Sequence, residues 1–262
     1  MLTIQELIQK IQSELPEAMP GDTVDTLKSG DGSRPVQGIV TTFIATWDVI
    51  QKTAELGANL IITHEPTYFN HRDETAWLEK DSTFQAKRRL IVEKGLTIWR
   101  FHAGWHMHRP DGILTGVVEQ LKWQNYQDSQ FEPVFKIPST SLRSLAEEFK
   151  QKLNAPVLRV VGADSMECRQ VFLFLGSGPG EIQIEILGNP AVDVLVCGET
   201  TEWQVPEYVR DSTAAGLPKG LIILGHERSE EGGMLYLAKW LQQRFPDLAV
   251  SHLPAGDPLR YL

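Results

Sequence analysis

Nowhere in its 262 residues does the chain carry an apolar run near the ~18 residues that a helical membrane span requires, so no such span is expected. Its opening stretch, MLTIQELIQKIQSEL, has no basic start, no continuous apolar centre and no small-residue cleavage site. A secretory leader is therefore not expected, and the cytoplasm is the expected location. Cysteine is scarce: Cys168 and Cys197 stand far apart, each in or beside an apolar stretch. That spacing excludes a disulfide framework or a zinc knuckle and predicts two buried, reduced thiols. Long basic blocks are missing too. With 34 acidic residues against 25 basic ones the formal net charge is -9. This disfavours nucleic acid as a partner, because that binding relies on Lys and Arg to neutralise phosphate. A bound cation would offset part of the acidity.

Apolar residues make up 42% of the chain, enough to bury a core in one large or two modest domains. LTIQELIQKIQSEL spaces Leu2, Ile4, Leu7, Ile8, Ile11 and Leu15 for an amphipathic helix. A loop-rich stretch punctuated by Pro and Gly follows. Next, VQGIVTTFI reads as a strand, TWDVIQKTAELG as a helix ending near Gly57, and NLIIT as a strand. DSTFQAKRRLIVEKG is a helix closed by Gly95, LTIWRFH a strand, and PDGILTGVVEQLKWQ a helix. Farther on come a capped helix in STSLRSLAEEFKQKL, strands in QVFLFL, AVDVLVC and LIILGHE, and a last helix in EEGGMLYLAKWLQQRF. EIQIEIL alternates like a strand, yet its place between two strands suits a crossover helix, and periodicity leaves both open. Strands alternating with helices predict an α/β fold with mostly parallel sheets. Two α/β halves are expected, 1–125 and 126–262, with interleaving through the C-terminal helix packing on the first half as a variant.

A weak internal repeat supports two halves. NLIITHEPTYF (59–69) matches DVLVCGETTEW (193–203), which sets Glu65 opposite Glu199 and Phe69 opposite Trp203. KGLTIWRFH (94–102) matches KGLIILGH (219–226) with one gap, which sets His102 opposite His226.

Of seven histidines, His64 ends one predicted strand, His102, His106 and His108 follow another, and His226 ends a third. Ligands bind beyond the carboxyl ends of strands in open α/β sheets, so three strands deliver imidazoles to such an edge. Carboxylates accompany them: Glu65, Asp111, Glu199, Glu227, Glu230 and Glu231. Imidazole with carboxylate is the ligand set of zinc, iron and manganese. Any one of these histidines alone would be read as a hydrogen-bonded core or surface residue; their joint placement points to metal. If a helix begins near Glu227, His226 and Glu230 face one way, four residues apart.

These motifs resemble those of the Nif-three-like proteins (Ngg-one-interacting factor three), often named GTP cyclohydrolase 1 type 2. The family's His-His-Pro appears here as THEP, its His-Thr-Asn-Leu-Asp as HAGWH, and its Gly-His with a Glu four positions on as GHERSE. LGSGPG and DVLVCGET also resemble family segments, and the likeness runs in order from about residue 2 to 255. The resemblance implies two similar α/β halves with mostly parallel sheets and a metal site in the cleft between them. It implies a dinuclear centre of two divalent ions held by His64, Glu65, His106, His226 and Glu230, with His102 beside it, and a toroidal homo-hexamer. Two positions depart from the pattern: Glu65 replaces a histidine and His106 an aspartate. The exchange keeps ligand number and formal charge, so Glu65 and His106 are expected to compensate each other.

The function so implied is metal-dependent hydrolysis, with a small-molecule substrate such as a purine nucleotide and opening of the GTP imidazole ring as the implied reaction. His102 and Glu199 are the candidate acid or base beside the metal. The alternative is a non-enzymatic metal-binding or regulatory oligomer that recognises a protein partner. The GSGPG turn (176–180) could cradle phosphate or serve only to reverse the chain. Tyr68, Phe69 and Trp105 could stack on a planar base, although core packing accounts for them as well. His108, Arg109 and Asp111 could face substrate or belong to a surface loop.

Overall fold

In the computed structural model of the chain, which describes residues 1–127 and 132–260, local signals set most element ends. Helix α1 (Ile4–Ser13) starts at a reciprocal cap: Thr3 accepts the Glu6 amide at 3.2 Å, and the Glu6 carboxylate accepts the Thr3 amide at 2.8 Å. Strands β1 (Leu27–Ser29) and β2 (Ile39–Thr42) follow, then α2 (Trp47–Glu55), capped by Thr46, and β3 (Leu60–Thr63). Asp81 caps α3 (Ser82–Glu93), which leads to β4 (Thr97–Arg100) and the five-residue α4 (Ala103–Met107). Gly57 and Gly95, at φ 71° and 63°, take the left-handed turns after α2 and α3.

The chain continues through α5 (Gly112–Leu121), β5 (Val134–Ser141), α6 (Leu142–Lys152), β6 (Arg159–Val161) and β7 (Glu167–Phe174). It ends through α7 (Gly180–Gly188), β8 (Val194–Cys197), α8 (Val205–Ala214), β9 (Gly220–Ile223), α9 (His226–Arg244) and β10 (Val250–His252). EIQIEIL is thus helical: β7 and β8 pair in parallel, and a parallel pair needs a crossover. No helix among the described residues is long and apolar enough to cross a membrane.

Two compact units emerge, Met1–Gly112 with Gly233–Gly256, and Ile113–Gly232 with the residues from Asp257 on. The first holds a sheet of order β1-β4-β3-β2-β10, parallel except for β1. The second holds a sheet of order β5-β7-β8-β9-β6, with β7, β8 and β9 parallel and antiparallel strands at both edges. The sheets match strand for strand when β1, β4, β3 and β2 are set against β6, β9, β8 and β7. In both units a short strand antiparallel to the third parallel strand precedes the three in sequence. The weak likeness between NLIITHEPTYF and DVLVCGETTEW therefore has a counterpart in topology, with β3 matching β8.

Every residue of β2, β3, β4, β8 and β9 is buried, as expected of strands covered on both faces. Along β8, Val194 and Val196 join one apolar cluster while Leu195 and Cys197 join another. Each such aliphatic side chain contributes about 1.5–3 kcal/mol on burial. Cys168 and Cys197 are both free and buried, as read from the sequence, and burial pushes each thiol up to about 12.

Candidate metal centre

In the first unit, β3 runs out of apolar residues at Thr63 and delivers His64, which is fully buried. The Glu65 amide donates to Phe43 O at 2.8 Å, and the Thr63 hydroxyl donates to Glu65 O at 2.9 Å, which fixes the bend before Pro66. Next door, β4 leads to His102, the residue before α4, and His106 lies one helical turn further on. The rings of His64 and His102 stack at 4.4 Å, and those of His106 lie 5.0 and 5.2 Å from the two. One nitrogen from each of the three falls within 4.8 Å of the others. Imidazoles gathered this closely around a buried member match the donor set of a divalent transition metal.

Two carboxylates hold these rings, Asp111, already noted in the sequence, and Asp25, which the sequence did not announce. Asp25, buried, accepts the amides of His102, Ala103 and Gly104 at 3.0, 2.9 and 2.7 Å. It thereby satisfies the start of a helix whose own preceding residue supplies no side-chain cap. Asp111 lies 2.9 Å from His106 Nδ1. An ionised carboxylate only accepts, so the His106 proton sits on Nδ1 and Nε2 is the nitrogen that carries the lone pair.

Arg100, the last residue of β4, is fully buried. Its Nε donates to His64 O at 2.9 Å, another nitrogen donates to His71 O, and a third lies 3.5 Å from Glu65 Oε2. The other oxygen of Glu65 lies 3.5 Å from His102 Nε2. This gives Glu65 a reason of its own: a buried guanidinium is stabilised by a carboxylate, and a second histidine at position 65 would remove this one. The charged residue ending an otherwise apolar LTIWR was the signal available in the sequence. His71 also comes near, with its ring 6.0 Å from that of His102.

In the second unit, β8 is followed by Gly198 and Glu199, and β9 by Gly225 and His226, the first residue of α9. His226 Nδ1 lies 3.0 Å from Glu199 Oε1, and its Nε2 lies 3.2 Å from Glu230 Oε2. With Nδ1–H given to Glu199, Nε2 presents a lone pair to the Glu230 carboxylate. Two acceptors at that distance require a proton or a cation between them, so the donor set fits a metal. Ser229, buried, donates to His226 O at 2.7 Å and accepts the Gly176 amide at 2.9 Å. Burial, with Glu231 beside it, pushes the Glu227 carboxyl up to about 7.

Gly176 opens the GSGPG turn at φ 70°. A Cβ there would come within 2.2 Å of Glu230 Oε1, so the missing side chain makes room for that carboxylate. Beyond the two readings of this turn, phosphate cradle or chain reversal, the structure adds a third feature: it packs against the Glu230 carboxylate.

The seven residues singled out from sequence thus fall into two sets: His64, Glu65, His102 and His106 in the first unit, and Glu199, His226 and Glu230 in the second. Both sets contain a carboxylate beyond the middle parallel strand paired with an imidazole beyond the next, Glu65 with His102 and Glu199 with His226. The candidate stacking residues separate. Trp105 and Tyr68 are buried in the core, whereas Phe69 is exposed at φ 66° with Lys87 Nζ 5.2 Å from its ring. His108 packs against Trp105 and Trp240, and Arg109 is exposed.

Residues 2–256 match the family Duf34/NIF3 (NGG1p interacting factor 3). The chain is 22% identical to a GTP cyclohydrolase 1 type 2 homolog of Clostridium acetobutylicum, over 92% of this chain and 90% of the relative. It is 21% identical to one from Clostridium perfringens, over 90% of both. Among solved structures, a hypothetical protein of Staphylococcus aureus superposes with a TM-score of 0.78 at 19% identity, covering 100% of this chain and 99% of its own. A Bacillus cereus protein related to NIF3 does so with a TM-score of 0.78 at 17% identity, covering 99% of each.

Proposed function

The chain belongs to the Duf34/NIF3 family, and we propose that it is a metal-dependent hydrolase. Its two divalent ions, zinc, iron or manganese, are held by His64, Glu65, His106, His226 and Glu230. The observation that carries this reading is the gathering of two of these ligands, His64 and His106, with His102 beside them, one nitrogen of each within 4.8 Å of the others. When bound, such ions supply Lewis-acid polarisation and an activated water at neutral pH.

The protein's own groups orient the ligands and handle protons. Asp111 keeps the His106 proton on Nδ1, and Glu199 keeps that of His226 on its Nδ1, so each imidazole offers Nε2. His102 Nε2, facing Glu65 Oε1, is the atom proposed to hold and release a proton during turnover. The names of the curated relatives support a purine nucleotide as substrate and opening of the GTP imidazole ring as the reaction. The proposed setting is a cytoplasmic homo-hexamer.

The test is metal analysis of the purified protein, followed by turnover of GTP and a nucleotide panel with added manganese, zinc or iron. Turnover that disappears in Glu230→Ala supports the hydrolase. Metal bound without turnover of any nucleotide sinks it and favours a metal-binding regulatory oligomer; absence of metal even after reconstitution sinks the centre itself.

A further inference from the structure

A cavity lies within the first unit, with a volume of about 510 Å³. None of the seven candidate metal-centre residues lines it. Three segments form its walls: β1 with Leu27 to Ser29, the loop after β3 with Tyr68, Arg72, Asp73 and Thr75, and one face of α3 with Phe84, Arg88 and Val92. Its size falls in the usual range for small-molecule sites, roughly 300–1,000 Å³.

The charge of this cavity runs against that of the chain. Lys28 and Asp73 are a buried pair, 3.6 Å apart, with side chains 7% and 4% exposed. Asp73 is further held by the Tyr68 amide, which donates to its Oδ1 at 2.6 Å. These two charges cancel, and the Arg72 and Arg88 guanidiniums remain. Both residues are exposed, and among the described residues neither guanidinium has a carboxylate partner or a hydrogen bond. In a chain with a net charge of -9, two uncompensated guanidiniums at one cavity are a local excess of positive charge.

We propose that this cavity binds a small organic phosphate. The phosphate dianion is held between Arg72 and Arg88, whose planar forks match its several acceptor oxygens, with the Thr75 hydroxyl as a further donor. The organic part lies against Tyr68, Phe84, Leu27 and Val92, which gives the cavity an apolar wall suited to a ring. The site is separate from the proposed metal chemistry and needs no metal.

The experiment is calorimetric titration of the chelator-treated full chain with phenyl phosphate and with inorganic phosphate. Removing metal beforehand prevents phosphate from reporting the metal centre. Saturable binding of phenyl phosphate is expected, tighter than inorganic phosphate. It should weaken about tenfold or more in Arg72→Gln and in Arg88→Gln, the scale of one lost charge-assisted contact. Both residues are exposed, so thermal midpoints should stay at the wild-type value. Absence of saturable binding to the wild-type chain overturns the proposal. So does wild-type affinity in the double variant Arg72→Gln/Arg88→Gln.

Discussion

His106 and Asp111 are partners: the imidazole Nδ1 and a carboxylate oxygen lie 2.9 Å apart, five residues from each other along the chain. The family pattern has an aspartate where His106 stands. Here an aspartate is still present, but behind the imidazole, where it fixes the ring and its tautomer.

Asp111→Asn should therefore lower metal affinity by about 10–100-fold with little change in fold. Competition against a chromogenic chelator measures this directly. Wild-type affinity in the variant would show that Asp111 does not orient the ligand.

Glu65→His brings THEP to the His-His-Pro of the motif it resembles, yet it should destabilise this chain. Arg100 is fully buried and loses its carboxylate, a loss of about 3–5 kcal/mol. Adding Arg100→Met removes the stranded charge and should recover part of that loss. Urea melts of the two variants decide it, and equal losses in both would refute the role given to Arg100.

Gly176→Ala places a methyl group 2.2 Å from Glu230 Oε1 and forces a side chain into a left-handed backbone at φ 70°. The backbone strain alone costs about 1–3 kcal/mol. Metal affinity should fall as well, because Glu230 has to move. A variant with unchanged affinity would mean that the turn and the carboxylate are not coupled.

Asp25→Ala should cost about 2 kcal/mol, since a charged acceptor for three amides is lost. The informative readout is hydrogen exchange. The amides of Ala103 and Gly104 should lose protection, while those of α3 keep it.

Lys87 gives a pH dependence. Burial lowers its amine from 10.5 to about 8, even though Nζ donates to Thr67 O at 2.7 Å. The unfolded chain binds the proton more tightly, so the cost of burying the charge is fully present below pH 8. Stability contributed at this position rises as pH goes from about 8 to 10.5, by up to about 3 kcal/mol. Comparing unfolding of the wild type and Lys87→Met across that range isolates the effect, and parallel pH profiles would contradict it.

The central strands were legible because apolar runs such as LIIT and VLVC are bounded by glycine, proline and polar residues. Elements whose form depends on distant partners were not. β1, β6 and β10 have three residues each and are strands only because β4, β9 and β2 lie beside them. VPEYVRDSTA, the α8 helix, buries only Val205 and Val209 and has too thin an apolar stripe to stand out. The imidazoles were legible because they follow strands. Their supports were not: nothing in the sequence around Asp25 points to residues 77 to 79 positions away. The glycine-rich turn announced a tight reversal but not that Glu230 would occupy the space beside it.

The reach of Asp25 also bears on the order in which the chain assembles. His226 and Glu230 sit one turn apart on a long helix, so they meet when that helix forms, an event of about 0.1–1 μs in isolated helices. His102 and His106 depend on a five-residue helix, too short to persist alone. Its start is satisfied only after the loop before β1 has closed against the end of β4. One group of candidate ligands is thus a product of local chain geometry, and the other is among the late acquisitions of a slow, non-local folding step.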